Sequence, residues 1–356
     1  MLACVVAISA LGAVACGSGS GVTVARTAVN PSNAWLGLNY NADVDNQQLR
    51  AFSVHGVIYD REGTIEVRAG ETLQSSSDFS WGLARTYGAG MVPDFEIDTA
   101  VGPPGCTANP GPRSLCLPRG PQQIDDFVRG FAATATSVMR AYPHRRALFE
   151  PMDEPWNWAW PPGTVAGSVA AGEYAAVLAP LLTAVKKAGI PLTDIYVPAL
   201  GVLPDRTYWI SDLYKAQPCL QPGPGSCGPI GGWNVHPYGQ PGSSSGGIGS
   251  VPGLRTEMRS GEDNVIVSEV GFCATTVDGG AGCDENTPAV VGSGSETATW
   301  LTETLDQAVP MHKAKWLKAL IVWARSDGGW AMQNANGSLT PQGQALMRFA
   351  VSPLSR

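Results

Sequence analysis

Short apolar runs alternate with longer segments of helical periodicity along most of the chain. The runs have the length of buried strands and are bounded by polar, glycine or proline residues. Eight of them predict strands, at residues 35–40, 65–68, 90–95, 147–151, 195–199, 232–236, 265–270 and 320–324. The segments between them predict amphipathic helices, most clearly at 121–142 and 173–189, where apolar residues recur at intervals of three and four.

Two prolines mark features of the predicted helices. Pro180 lies inside the segment 173–189 and predicts a kink there, because proline removes a backbone hydrogen bond from a helix. Near the end of the chain, Thr340 followed by Pro341 is typical of an N-cap with proline in the first helical position. A last helix is therefore expected to begin at this point.

The alternation of strand and helix indicates a parallel sheet, because parallel strands need crossover connections. Eight such strands predict an α/β fold, a single (β/α)8 TIM barrel, in which active sites lie at the carboxyl ends of the strands. A doubly wound open sheet remains an alternative, because such short runs fix the strand count only loosely. No internal repeat or linker divides the chain, so we expect one catalytic domain over residues 34–356.

The first residues have the pattern of an export signal. Residues 2–15 are uncharged and mostly apolar, and they end at Cys16, which precedes a Gly/Ser tract. The run is too short for a membrane span of ~20 residues, and its small residues at 13 and 15 suit signal peptidase. We expect a signal peptide or lipoprotein signal over 1–16 and a flexible tether over 17–33. The protein would then be bacterial and lie outside the cytoplasm, either secreted or lipid-anchored through Cys16.

Composition agrees with an exported enzyme that has long loops. Of 356 residues, 43 are Gly and 28 are Pro, and only 15% are charged. The apolar share of 44% and the 11 Trp residues are sufficient for a sizeable core, which argues against disorder. The net charge of −7 comes without a basic cluster, so nucleic acid is excluded as an expected partner.

Six cysteines follow the export signal as three near neighbours in sequence. The pairs are Cys106/Cys116, Cys219/Cys227 and Cys273/Cys283, and none has Cys-x-x-Cys spacing. Six cysteines allow 15 connectivities, so the sequence leaves the pairing open. Closure within each pair is the simplest arrangement, and it would clamp three loops with disulfides in an oxidising compartment.

The fourth predicted strand ends in a dense group of carboxylates. Glu150, Asp153 and Glu154 lie within five residues, and Trp156 follows them. A polar turn with aromatic packing would also give this pattern. However, the group lies where a barrel holds its catalytic residues, and the face of an aromatic ring suits stacking on a sugar.

Two further predicted strands end in residues that can do chemistry. Glu269 lies inside an otherwise apolar strand, where a carboxylate is costly to bury unless it is paired or functional. His236 and Tyr238 end the sixth strand. A histidine in such a position is more often a satisfied core residue than a catalyst, so His236 carries little weight by itself.

Together these motifs resemble those of clan A retaining glycoside hydrolases, the barrels that include cellulases, β-mannanases and β-xylosidases. The resemblance rests on 153–155 (Asp-Glu-Pro) after the fourth strand and 268–272 (Ser-Glu-Val-Gly-Phe) after the seventh. The segment 236–238 (His-Pro-Tyr) looks like the family's sixth-strand motif. Trp323 looks like its eighth-strand Trp, and Arg68 like its second-strand Arg. The resemblance covers residues 34 to 350.

The resemblance implies a role for each matched residue. Glu154 would be the general acid/base and Glu269 the nucleophile of a double displacement, which needs two carboxyl groups ~5–5.5 Å apart. Tyr238 would donate its hydroxyl to Glu269, and Arg68 would keep that carboxylate ionised. Trp323 would form the floor of the sugar site.

One position departs from the family pattern. The family has Asn before the acid/base, where it donates a hydrogen bond to the sugar 2-hydroxyl, whereas Asp153 when ionised can only accept one. Two hypotheses follow: the substrate carries an unusual 2-substituent, or the enzyme is weakened. A shifted frame in which Glu150 takes the acid/base role is a further alternative.

Several other patterns are weaker. Ser244 lies in a G-x-S-x-G match that would suit an α/β hydrolase, but no helical pattern follows it. A G-x-G-x-x-G match at 223–228 opens no helix, so no dinucleotide site is expected. Asp278, Asp284 and Glu285 are more typical of a solvated loop than of a Ca²⁺ site. We therefore expect no cofactor and no metal.

The sequence thus predicts an exported retaining β-glycoside hydrolase that acts on an oligo- or polysaccharide. Its catalytic residues would be Glu154 and Glu269, with Asp153 and Trp156 among the residues that bind substrate. We expect a monomer whose partner is a carbohydrate. A carbohydrate-binding barrel with weak or no turnover is the alternative, and Asp153 is the feature that favours it.

Overall fold

The fold is defined by a computed structural model. It describes residues 34–39, 46–67, 77–99, 117–155, 167–201, 208–227, 230–241, 247–258, 264–277, 280, 283, 290–324, 328–334 and 336–352. The predicted export signal and tether lie outside these residues, and so do Arg68, Trp156 and the Cys106/Cys116 pair.

Eight parallel strands form one sheet. They are β1 (Leu36–Asn39), β2 (Val57–Val67), β3 (Val92–Thr99), β4 (Leu148–Pro151), β5 (Tyr196–Gly201), β6 (Gly232–His236), β7 (Val265–Val270) and β8 (Leu317–Trp323). Their order is β4-β3-β2-β1-β8-β7-β6-β5. Because β1 pairs with both β2 and β8, the chain runs round the sheet as in a barrel.

The sheet closes between its first and last strands. A parallel bridge joins Phe149 in β4 to Ile195, the residue before β5. This bridge excludes the doubly wound alternative, since an open sheet would leave β4 and β5 as separate edges. The predicted (β/α)8 barrel is confirmed.

A helix follows each strand. The helices are α1 (Asn46–Ser53), α2 (Ser77–Ala89), α3 (Gly120–Ala141), α4 (Gly167–Lys187), α5 (Trp209–Ala216), α6 (Val251–Leu254), α7 (Gly294–Lys313) and α8 (Pro341–Val351). The predicted start of the last helix is confirmed, because Thr340 caps α8 by accepting a hydrogen bond from the Gly343 N–H. Ser293 and Glu296 form a capping box at the start of α7.

The barrel interior changes from apolar to polar along the strands. One end is filled by Tyr59, Leu148, Tyr196, Ile266, Ala319 and Ile321, which form a separate apolar cluster. Further along the same strands, the buried residues are Arg61, Glu96, Glu150, His236 and Glu269. Because side chains alternate between the two faces of a strand, Arg61 of β2 points inward, while its neighbour Asp60 points outward and meets Arg85 and Thr86 of α2.

Buried charged residues explain why β2 and β3 differ from their predicted bounds. β2 begins at Val57 and not at 65, and β3 extends to Thr99 and not to 95. The missing parts carry Asp60, Arg61 and Asp98, whose charges hide a buried strand from any search for apolar runs.

Two of the three predicted disulfides lie among the described residues, and both have the predicted pairing. Cys219–Cys227 lies between α5 and β6, at the end of the barrel where the strands begin. Cys273–Cys283 lies after β7, at the end where the strands finish. Beside it, Cys273–Ala274 pairs with Val291–Gly292 as a small second sheet.

Candidate active site

The carboxyl ends of the strands bring together most of the residues that the sequence singles out. Glu154 follows β4, His236 ends β6, Tyr238 follows it, and Glu269 lies near the end of β7. In the closed barrel β6 and β7 are neighbours, and β5 lies between β4 and β6. The predicted site is therefore one compact group.

Glu269 lies at the centre of the group and is almost fully buried. Arg61 donates a hydrogen bond to its Oε1, and the Tyr238 hydroxyl donates one of 2.7 Å to its Oε2. Burial opposes ionisation, but the charges of His236 and Arg61 and these two hydrogen bonds outweigh it and lower the pKa of Glu269. Glu269 is therefore held as a carboxylate.

Arg61 in β2 is the cation of the site, and the sequence reasoning missed it. Its Nη2 lies 2.6 Å from Glu96 Oε2 and 3.1 Å from Glu150 Oε2. Asn39 accepts from Arg61 Nη1 at 3.1 Å through its amide oxygen. Arg61 thus makes the contact with the nucleophile that was predicted for Arg68. The sequence feature that could have identified Arg61 is a charged residue at an inward position of β2.

His236 connects Glu154 with the polar layer inside the barrel. Its Nδ1 lies 3.0 Å from Glu154 Oε1, and its Nε2 lies 3.0 Å from Ser268 Oγ. Ser268 donates to Asn234, so its hydroxyl oxygen accepts the Nε2 proton of His236. Burial disfavours the imidazolium, but Glu269 and the hydrogen bond with Glu154 raise the pKa of His236. His236 Nδ1 therefore donates to Glu154 when the imidazole is protonated, and it accepts from Glu154 when the imidazole is neutral and Glu154 carries the proton.

The turn after β4 holds Glu154 in an unusual backbone conformation. Met152 and Glu154 both have positive φ, at 73° and 37°. Three hydrogen bonds hold this turn: the Tyr174 hydroxyl donates to the Pro151 carbonyl at 2.6 Å, the Met152 N–H to the Ile97 carbonyl at 2.9 Å, and the Asp153 N–H to Asp98 Oδ1 at 2.8 Å. Such strain persists only where the surroundings enforce it, which is typical of functional sites.

Asp153 lies between the buried charges and the open end of the barrel. Its Oδ1 is 3.6 Å from Arg61 Nη2 and 3.7 Å from His236 Nδ1, while about a quarter (25%) of the side chain is exposed. Burial and the nearby charges of Glu96, Glu269 and Glu154 raise its pKa well above the usual range. Burial and the three carboxylates thus disfavour the ionised form of Asp153, while Arg61 favours it.

More carboxyl groups lie beneath the site, and they interact in pairs. Asp94 interacts with Glu150, and Asp98 with Glu96. Burial and these neighbouring carboxylates raise the pKa of both Asp94 and Asp98 well above the usual range. Burial beside another carboxylate therefore favours the protonated forms of Asp94 and Asp98.

Aromatic residues line the side of the site formed by β8. Trp323 ends β8 half-buried, in register with Asn39. Trp330 follows in a buried turn, and its ring meets the ring of Tyr238 edge to face at 6.5 Å. Gly271 lies so close that an added Cβ would be 2.9 Å from the Trp323 carbonyl oxygen. The small residue after Glu269 therefore lets β7 approach β8.

Asp153, His236 and Glu269 also have a metal-like arrangement. One donor atom from each lies within 4.8 Å of the other two. However, Arg61 contacts Glu269 and lies 3.6 Å from the Asp153 carboxylate. The guanidinium thus already supplies positive charge between two of the three donors.

Comparison with solved structures gives glycoside hydrolases with the same barrel fold. A family 39 glycoside hydrolase from Bacteroides cellulosilyticus has a TM-score of 0.60 and 15% identity, and the match covers 90% of this chain and 64% of that one. A family 5 xyloglucanase from Paenibacillus pabuli has a TM-score of 0.57 and 14% identity, with 91% and 98% covered. The GH53 catalytic domain of Ignisphaera aggregans has a TM-score of 0.56 and 14% identity, with 89% and 92% covered.

Other comparisons add little. No protein-family model matches the chain, and a search of curated protein sequences finds no match. None of the helices described here is both long and apolar enough to cross a membrane. The solved structures show that the chain has the barrel fold found in clan A glycoside hydrolases. The resemblance is thus confirmed at the level of fold.

Proposed function

We propose that the protein is a retaining β-glycoside hydrolase in which Glu269 is the nucleophile and Glu154 the general acid/base. The observation that carries this proposal is the environment of Glu269, a buried carboxylate that Arg61 and Tyr238 hold in the ionised form. A carboxylate that must attack an anomeric carbon needs this environment, because the protonated form is not a nucleophile.

The position of Glu154 supports the second half of the mechanism. Glu154 Oε1 and Glu269 Oε2 lie 3.0 Å and 3.6 Å from the same atom, His236 Nδ1. These two oxygens are therefore at most about 6.6 Å apart, which is compatible with the ~5–5.5 Å between the carboxyl groups of a double displacement.

The reaction would proceed in two steps. Glu154 gives its proton to the leaving oxygen while Glu269 bonds to the anomeric carbon, and the glycosidic bond breaks. Glu154 then takes a proton from water, and the resulting hydroxide displaces Glu269 with overall retention. Tyr238 and Arg61 hold Glu269 as its charge is first lost and then regained.

The test is trapping of the covalent intermediate with 5-fluoro-β-glycosyl fluorides, which keep the C2 substituent of the natural sugar. We expect a stable adduct of one sugar on the peptide that contains Glu269. The Glu154→Ala variant should form the same adduct but release it far more slowly, and azide should restore release as the β-glycosyl azide. An adduct on any other residue would overturn the assignment, including one on Glu150.

A carbohydrate-binding barrel without turnover remains the second candidate, because Asp153 replaces the hydrogen-bond donor of the family pattern. It predicts sugar affinity without an adduct in the same experiment. The two outcomes therefore separate the candidates.

We also propose that the protein is exported as a monomer and acts on an oligo- or polysaccharide. Disulfides are typical of oxidising compartments, and the Cys219–Cys227 and Cys273–Cys283 bridges support a location outside the cytoplasm. Cleavage near residue 16, with or without lipidation of Cys16, would give the mature form.

A further inference from the structure

We propose that the sugar bound next to Glu269 carries an ammonium group on C2, and that Asp153 binds this group. The substrate would then be a 2-amino-2-deoxy-β-glycoside. This inference rests on the proposed function, and it assigns a substrate class to the same site.

The position of Asp153 defines which part of the sugar it can contact. One oxygen of its carboxylate lies within 4.8 Å of an oxygen of Glu269. Glu269 attacks C1, so Asp153 faces a neighbour of C1, which is either the ring oxygen or C2. The ring oxygen only accepts hydrogen bonds and would repel a carboxylate. The group that faces Asp153 is therefore the substituent on C2.

The charges around the site favour a cation in this place. Asp153, Glu154 and Glu269 are all partly open to the same space, with side chains 25%, 23% and 9% exposed. Of the positive groups described here, Arg61 is shared among Glu96, Glu150, Glu269 and Asp153, and His236 among Glu154, Glu269 and Asp153. Two cations thus serve five carboxyl groups, and an ammonium group on the sugar would add positive charge beside Asp153.

The raised pKa of Asp153 agrees with the proposal that this residue binds a cation. Burial and the charges of Glu96, Glu269 and Glu154 raise its pKa, while Arg61 opposes the rise. The remaining ionisable groups near it are Asp98 on β3, which accepts from the Asp153 N–H, and His236 on β6, 3.7 Å from its Oδ1. Glu150 at the end of β4 shares Arg61 with it, and Tyr238 contacts the neighbouring Glu269. A bound cation favours the ionised form of Asp153, so binding of the substrate should lower the pKa of Asp153 and release any proton that it holds.

A neutral substituent on C2 would interact with Asp153 in a different way. A 2-hydroxyl group could be bound by Asp153 only as an acceptor, or by a protonated Asp153 as a donor. In both cases the site would keep its excess negative charge. A 2-acetamido group brings no charge and needs extra space, so it should bind worse than the free amine.

The test compares matched aryl β-glycosides that differ only at C2, with amino, hydroxyl or acetamido groups, in both the gluco and galacto series. For the wild-type protein we expect kcat/KM for the 2-amino sugar to exceed that for the 2-hydroxy sugar by about 100-fold, the size typical of a desolvated charge pair. This ratio should fall as the pH rises and the amine loses its proton. Calorimetry with the free 2-amino sugar in two buffers of different ionisation enthalpy should show proton release on binding.

The matched variant is Asp153→Asn, which has the same shape but no charge. We expect it to lower kcat/KM for the 2-amino sugar about 100-fold more than kcat/KM for the 2-hydroxy sugar, so that the preference disappears. Because the wild-type ratio needs no variant, the proposal stays testable even if Asp153→Asn does not fold.

Three outcomes would overturn the proposal. Equal or better hydrolysis of the 2-hydroxy sugar by the wild-type protein would exclude an ammonium group, while trapping on Glu269 would leave the glycosidase assignment intact. An unchanged preference in Asp153→Asn would show that another residue selects the substrate. Activity that is lost with EDTA and regained with a divalent metal would show that the cation at Asp153 is a metal ion. Failure to trap any sugar on Glu269 would instead remove the glycosidase assignment, and the substrate class with it.

Discussion

Single side chains decide the ionisation of Glu269, the proposed nucleophile, and Arg61 acts on it both through its charge and through a hydrogen bond. It contacts Glu269 while two other carboxylates, Glu96 and Glu150, hold its guanidinium in place. The planar guanidinium can satisfy several carboxylates at once, which the point charge of a lysine cannot do. Arg61 is therefore a positioning residue for Glu269.

We expect Arg61→Lys to lower kcat by at least ~10³-fold, because the charge remains but the geometry of the hydrogen bonds does not. Arg61→Met should also shift the acid limb of the kcat/KM profile to higher pH, since the pKa of Glu269 rises when its cation is removed. The measurement is a pH–rate profile of both variants. Arg85→Lys is the control, because Arg85 is an equally buried arginine that pairs with Asp60 away from the site. An unshifted acid limb in Arg61→Met would contradict the role of Arg61.

The sequence indicated the carboxylates at the strand ends but not the residues that hold them. Glu154, Glu269, His236 and Tyr238 come together as expected because parallel strands end at the same edge of a barrel. Arg61 was missed, since a charge inside a strand counts against a buried strand in any apolar pattern. Arg68, the arginine chosen by resemblance, lies outside the described residues.

Among the elements, the turn after β4 depends on a helix that packs behind it. Tyr174 of α4 is fully buried, and its hydroxyl donates to the Pro151 carbonyl just before the strained segment that carries Glu154. A helix on the outside of the barrel thus controls the backbone of the acid/base on the inside. The link could not be predicted from the sequence, because it depends on the depth at which α4 packs.

We expect Tyr174→Phe to lower stability by about 1 kcal/mol, the usual net contribution of one hydrogen bond. It should also lower kcat several-fold with little change in KM, because Glu154 loses part of its fixed position. Thermal unfolding and steady-state kinetics measure the two effects. Tyr87→Phe is the matched control, because the Tyr87 hydroxyl also donates to a backbone carbonyl, that of Arg146, away from the site. Equal kinetic effects in both variants would argue against the proposed link.

The strand and helix order was predictable because periodicity survives in most elements. The bounds of β2 and β3 were not, because inward charges interrupt their apolar pattern. Closure of the barrel at Phe149 and Ile195 also had no sequence signal, since it depends on how all eight strands twist and stagger.

The molecule as a whole has one described disulfide at each end of the barrel. Cys273–Cys283 lies at the end that carries the site, and a Cβ added at Gly329 would lie 2.5 Å and 2.6 Å from its two sulfur atoms. Gly329 precedes Trp330, whose ring packs on Tyr238. Cys219–Cys227 lies at the opposite end and closes a loop of similar length.

We expect the double variant Cys273→Ser/Cys283→Ser to lose about 2–3 kcal/mol of stability and roughly 10-fold in kcat/KM, because the contact of Trp330 with Tyr238 loosens. The double variant Cys219→Ser/Cys227→Ser should lose similar stability and keep its activity. Thermal unfolding measures the loss of stability, and kinetics at a temperature below the melting range of both variants measure the loss of activity. Equal losses of activity would show that the bridges act only through stability.

The paired carboxyl groups beneath the site have a consequence for how this protein can change over time. Asp94, Asp98 and Asp153 hold protons to higher pH in the folded chain than in the unfolded one, so they weaken the fold as the pH rises through that interval. Apolar replacement of Asp94 would remove part of this cost, whereas apolar replacement of Glu150 would leave the buried Arg61 without one of its partners. The carboxyl groups beneath the site therefore differ in how freely they can be exchanged, and those that hold Arg61 are the most constrained.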